Sequence, residues 1–151
     1  MVAFGAADPR NATLKDNEVV RGLGRLLVND GTTNKLETTD AGDICIGVSA
    51  GESSRDADHA FETAGATVSY FPLGGVLMVQ SAASQTYTTG LTVYVGADGL
   101  ATDSDSGSDK KLGIYVGEGQ TTSGTLLTPA NESSATEGEL IAVMTAGAAI
   151  A

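Results

Sequence analysis

His59 is the single histidine of this chain, and Asp56, Asp58 and Glu62 stand close beside it. An imidazole among carboxylates could seed a metal site or an acid–base pair. No second nitrogen or sulfur ligand is near in sequence, so the plainer expectation is a solvated loop. A second cluster, Asp103-Ser104-Asp105-Ser106-Gly107-Ser108-Asp109, opens like a calcium-binding loop. Such a loop wants an oxygen ligand fifth, glycine sixth and glutamate twelfth, where this chain has Gly107, Ser108 and Ile114. Asp103, Asp105 and Asp109 are therefore candidates only for weak cation binding in strong salt. Serines abound, but no Gly-x-Ser-x-Gly elbow stands on a strand–helix turn, and no phosphate-cradling Gly-x-x-x-x-Gly-Lys is present. Tyr70, Phe71, Tyr87, Tyr94 and Tyr115 could make a sugar-stacking platform, although such residues more often fill a core or an interface.

The elements that would position these groups read as short strands. Leu91, Val93 and Val95 alternate with Thr92 and Tyr94, the period-two pattern of a half-buried strand. Ala97-Asp98-Gly99 turns the chain, and Leu112 to Val116 is a second strand of the same kind. Further strands are expected at Arg25–Val28, Leu36–Thr38, Ile44–Val48, Ala66–Tyr70, Val76–Gln80, Thr125–Thr128 and Leu140–Thr145. Ser81–Thr89 and Pro129–Gly138 read as polar connections. Ser54 or Asp56 could cap a turn or two of helix before Gly65. Strand, Asp-Gly turn, polar loop and strand occur twice. Leu27-Val28-Asn29-Asp30-Gly31 leads to Ile46-Gly47-Val48, and Tyr94-Val95-Gly96-Ala97-Asp98-Gly99 leads to Leu112-Gly113-Ile114. Chance likeness in a glycine-rich chain is the alternative. The expected fold is all-β: a small β-barrel, β-tulip or sandwich of short antiparallel strands over residues 18–151. Residues 1–17 show no period and are expected to form an extended N-terminal arm.

Composition narrows the function classes. The chain has 151 residues, most simply one domain, with nineteen acids against eight Lys and Arg and a net charge of −11. Phosphate backbones and anionic membranes would be repelled, so neither nucleic acid nor membrane is an expected partner. Sparse lysine and acids spread along the chain suit hydration in concentrated salt, where screening tames self-repulsion. Cys45 is alone, so no disulfide forms within the chain, and its apolar neighbours make it a small core residue. No opening basic stretch leads into a long apolar run, so no signal peptide is expected.

Gly90-Leu91-Thr92-Val93-Tyr94-Val95, then Asp98-Gly99-Leu100, then Leu112-Gly113-Ile114 resembles capsid decoration (cement) proteins of tailed viruses. Gly22 to Val28, Ile46-Gly47-Val48 and the closing Gly138-Glu139-Leu140-Ile141-Ala142-Val143 are similar to that family's opening half and final strand. The resemblance covers roughly residues 18–145; Glu52–Gly65 and the acidic 103–110 loop depart from the pattern. It implies a non-enzymatic virion protein without cofactor. Such a protein is a homotrimer on the outer capsid surface that clamps neighbouring major capsid subunits, here of a haloarchaeal virus. It also implies a terminal arm that adds a strand to the capsid protein. Met1, Val2, Ala3, Phe4, Arg10 and Leu14 are then the candidate capsid contacts. Deleting residues 1–17 is expected to weaken attachment and leave the domain folded. The rival expectation is an extracellular β-module binding glycan or cation; a small hydrolase built on His59 lacks a partner set.

Overall fold

The computed structural model describes residues 8–104, 109–120, 126–127, 131–134 and 137–145. The chain is all-β. Among the described residues thirteen strands run in order: β1 (Arg10–Thr13), β2 (Leu26–Asn29), β3 (Leu36–Thr38), β4 (Gly47–Ser49), β5 (Thr67–Pro72), β6 (Gly75–Gln80), β7 (Gln85–Thr88), β8 (Thr92–Val95), β9 (Ala101–Thr102), β10 (Lys111–Gln120), β11 (Leu126–Leu127), β12 (Asn131–Ser134) and β13 (Leu140–Thr145). They form two stacked antiparallel sheets and no closed barrel. Strand order is β1-β5-β4-β2-β3 in the first sheet and β6-β13-β10-β8-β9 in the second, with β11 beside β10. A small ribbon pairs β7 with β12.

The two sheets share one topology. Each begins with an edge strand, sets its second strand in the interior beside the third, and returns through the fourth and fifth. The repetition extends to single hydrogen bonds. After β1, Lys15 N donates to Leu36 O on β3; after β6, Ala82 N donates to Ala101 O on β9. The parallel bridges Leu14–Leu36 and Ser81–Ala101 correspond in the same way. Gly47 pairs with Leu27 and Pro72, and Gly113 pairs with Val93 and Thr145. A Cβ on Gly47 would lie 2.8 Å from Phe71 O, and one on Gly113 would lie 2.1 Å from Met144 O. Both glycines are needed because the fifth strand of each sheet passes too close for a side chain.

Corresponding residues do not face one another. Leu26, Val48 and Phe71 of the first sheet point at the second, with Val79, Val93, Ile141 and Val143 opposite. Their neighbours Leu27 and Leu36 point the other way, into a second core with Leu14, Val20, Ala66 and Val68. In the second sheet it is Val93, the counterpart of Leu27, that points inward. The sheets therefore stack front to back. This is why the adjacent Leu26 and Leu27 are both fully buried. Full burial of a side chain of this size stabilises by about 1.5–3 kcal/mol.

Residues 10–17 belong to this framework, which corrects the expectation of an extended arm, separate from the domain, over residues 1–17. Arg10–Thr13 pairs along β5 from Tyr70 to Thr67. Leu14 is fully buried, and Asn17 N donates to Thr63 O. Only Ala12 of this short edge strand packs against a core, so its mostly polar sequence carried no strand signal. Two further expectations fail. No helix forms over Glu52–Glu62, because Asp56 Oδ1 accepts from the amides of Asp58 and Ala60 and closes a tight turn instead. The stretches Ser81–Thr89 and Pro129–Gly138 are not all loop, because Gln85–Thr88 forms β7, anchored by the buried Tyr87, and Asn131–Ser134 forms β12 beside it.

Candidate interaction surface

The residues whose chemistry stood out in sequence are spent on local structure. His59 is exposed and sits at positive φ in the Asp56 turn. Ser54 Oγ donates to Glu62 Oε2 at 2.5 Å. Arg55 holds Glu52 through two hydrogen bonds, donates to His59 O and lies 3.8 Å over the Phe61 ring, with Arg21 5.2 Å from the same ring. Among the described residues no group of three His, Cys, Asp or Glu side chains is placed to hold a metal ion.

Of the acidic cluster, Asp103 ties β9 to β7. Its Oδ2 accepts from Thr86 N at 2.6 Å, and its own N–H donates to Gln85 Oε1 at 2.9 Å. Asp109 is half-buried, and Asp105 lies outside the described residues. Asp30 is the carboxylate most engaged in a turn. It accepts from Thr33 Oγ1 and from the amides of Thr32 and Thr33. These bonds, the Thr33 hydroxyl foremost, lower its carboxyl to about 2.

The aromatic residues do not assemble into a platform. Tyr87 and Tyr115 are buried with ring centroids 5.7 Å apart. The Tyr87 hydroxyl meets Ser81 Oγ at 2.6 Å and donates to Ala101 O at 3.0 Å, and burial pushes its ionisation up. Tyr70 and Phe71 pack against opposite cores. Burial likewise pushes the Cys45 thiol up to about 12. Cys45 is accordingly expected to stay unreacted with an aromatic disulfide reagent at pH 8 until denaturant is added, a difference that absorbance readout checks directly.

Of the candidate capsid contacts, Met1, Val2, Ala3 and Phe4 lie outside the described residues, and Arg10 is exposed at the start of β1. Leu14 is withdrawn as a surface contact, because its side chain is wholly inside the second core.

Two surfaces were not singled out by sequence reasoning. One is an open polar groove of about 460 Å³ lined by Asn17, Glu18, Arg21, Arg25, Asp98 and Glu137, among others. Arg25 spans it, donating to Asp98 O at 2.6 Å and to Glu137 Oε1 at 3.3 Å. The other is the outer face of the second sheet. Thr92, Ile114, Met144 and Val76 stand side by side across β8, β10, β13 and β6. Ile114 is 45% and Met144 52% exposed. This row corresponds to Leu26, Val48 and Phe71 of the first sheet, which the second sheet covers. The front-to-back stack thus ends on a face of the kind that its own first layer buries. Two adjacent large apolar side chains exposed on a domain of charge −11 make this face the candidate interaction surface. The period-two pattern puts Ile114 on one face with the buried Leu112, but the register shifts between Lys111 and Gly113 and Ile114 faces outward.

No protein-family model and no curated protein matches this chain.

Proposed function

We propose that this chain is a structural virion protein that binds the outer surface of an icosahedral capsid as a trimer and stabilises contacts between major capsid subunits. The observation that carries the reading is the uncovered apolar face around Ile114 and Met144 on an otherwise acidic, rigidly laddered domain. A docking protein needs such a face, and a repeating shell multiplies its modest contacts into tight attachment. The resemblance of the Gly90–Ile114 segment to capsid decoration proteins supports the same reading, as do the carboxylates and histidine committed to turns. Acidic charge elsewhere keeps neighbouring particles apart and hydrated in salt.

Native mass spectrometry after exchange from concentrated salt tests the assembly. Three times the 15.2 kDa chain mass is expected as the main species. Ile114→Glu and Met144→Glu, at exposed positions, should leave the melting temperature within a few degrees and abolish occupancy on purified shells. A monomer at every concentration, or unchanged occupancy of the double variant, overturns the reading.

A further inference from the structure

We infer that the free edge of β6 is an acceptor for an extended strand of a partner protein. The four outer edges of the two main sheets are not alike. That of β3 is covered, since Lys15 N donates to Leu36 O and Leu14 bridges to it. That of β9 is covered by Ser81 and Ala82 in the same way. The edge of β1 is open but guarded, with Pro9 before it, Arg10 at its start and only four residues of length. Among the described residues the edge of β6 has none of these protections except at its last residue, where Gly24 covers Gln80. It runs for six residues, Gly75-Val76-Leu77-Met78-Val79-Gln80, without a charge or a proline. Long, apolar, uncharged edges are those on which another chain adds a strand.

The unused hydrogen-bonding groups can be placed. Gln80 N donates to Gly24 O, away from β13, so the backbone groups of Gln80 point to the open side. Period-two alternation puts those of Met78 and Val76 on that side as well, and those of Leu77 and Val79 toward β13. Among the described residues, no backbone bond reaches Val76 or Met78 on the open side. Two consecutive N–H and C=O pairs therefore stand ready for a ladder, and an extended backbone supplies both complements at the required spacing. On the outer face, the side chain of Val76 continues the apolar row through Met144 and Ile114, and Met78 stands beside Ala142. A partner strand with apolar residues at alternate positions would extend that row by one strand.

The occupant is a strand of another protein with basic flanks, not a second copy of this chain. Symmetric antiparallel pairing of β6 about Leu77 would set Gln80 opposite Gly74 of the other copy. Gly24 already occupies that place. Each copy also carries −11, which opposes self-pairing and attracts a basic segment. If the chain decorates a shell, the strand would come from the shell subunit; the edge argument stands without that premise.

The probe is a capped heptapeptide of alternating valine and threonine with a lysine at each end. In the free protein the amides of Val76 and Met78 are expected to exchange rapidly with deuterium, while those of Leu77 and Val79 are protected. Adding the peptide should protect Val76 and Met78. Met78→Pro removes an outward N–H without touching the β13 ladder, as edge positions allow. It should weaken peptide binding about tenfold or more while Leu77 and Val79 stay protected. If that variant fails to fold, the wild-type chain with a peptide N-methylated at alternate amides reports the same loss. Absence of binding to the wild-type chain overturns the inference. So does equal affinity of the methylated peptide, or protection appearing elsewhere than on β6. Capsid occupancy plays no part in these readouts, so the edge and the shell reading stand or fall separately.

Discussion

Replacing Gly113 with alanine is expected to destabilise the domain by about 3 kcal/mol or more, a large fraction of the roughly 5–15 kcal/mol that holds a domain of this size together. The added methyl would sit 2.1 Å from the carbonyl oxygen of Met144 and 2.9 Å from a Val143 methyl. Neither can retreat, because Met144 is laddered between β10 and β6 and Val143 is fully buried in the main core. Gly47→Ala tests the duplicated architecture with the same chemistry. Its new methyl would meet the Tyr70 ring at 2.5 Å and Phe71 O at 2.8 Å. The half-buried ring can move aside, so a smaller loss is expected. Gly31→Ala is the control at a site with open space, its cost limited to the positive φ of 77°. Urea unfolding followed by circular dichroism should rank them Gly113, Gly47, Gly31.

The second large effect concerns the N-terminal segment. Leu14→Ala should cost about 3 kcal/mol, because it empties part of a closed core among Val20, Leu27, Leu36 and Val68. Removing residues 1–17 should cost far more, since it also strips β1 from β5 and the Lys15 N–Leu36 O bond from β3. The truncated chain is expected to lose its cooperative transition. Deleting residues 1–7 alone leaves every one of these contacts in place and is the truncation that can test a role in attachment. Denaturation curves for the three proteins, compared with shell occupancy for the shortest deletion, separate folding from docking.

The all-β class was legible because Leu91 to Val95 alternates cleanly, Val76 to Val79 is a short apolar run, and turns such as Asn29-Asp30-Gly31 punctuate the chain. The repeat was legible too, through the spacing of Gly47 and Gly113 behind their Asp-Gly turns. Sequence could not say why those glycines matched; the close passage of the fifth strand does. Ladder order was out of reach, because β1 finds β5 and β7 finds β12 only across long stretches of chain. The same gap hid the β6 edge. Val76 to Gln80 reads plainly as a strand, but whether one of its sides is bare depends on what else arrives beside it. At the candidate sites the sequence pointed to side chains with reactive groups, His59 and the Asp103 cluster. Amides of its own turn consume Asp56, the Thr86 amide on β7 takes Asp103, and the Ser54 hydroxyl takes Glu62. The apolar outer face was out of reach, because exposure of Ile114 and Met144 follows from stacking order, not from local period.

The measurement that bears most directly on the shell reading is electron cryomicroscopy of virus particles that carry this chain. The account predicts the two-sheet domain on the outer surface in groups of three, with Ile114 and Met144 covered by subunit contacts. Particles bearing no such density, with the chain recovered only as a free monomer, would contradict it.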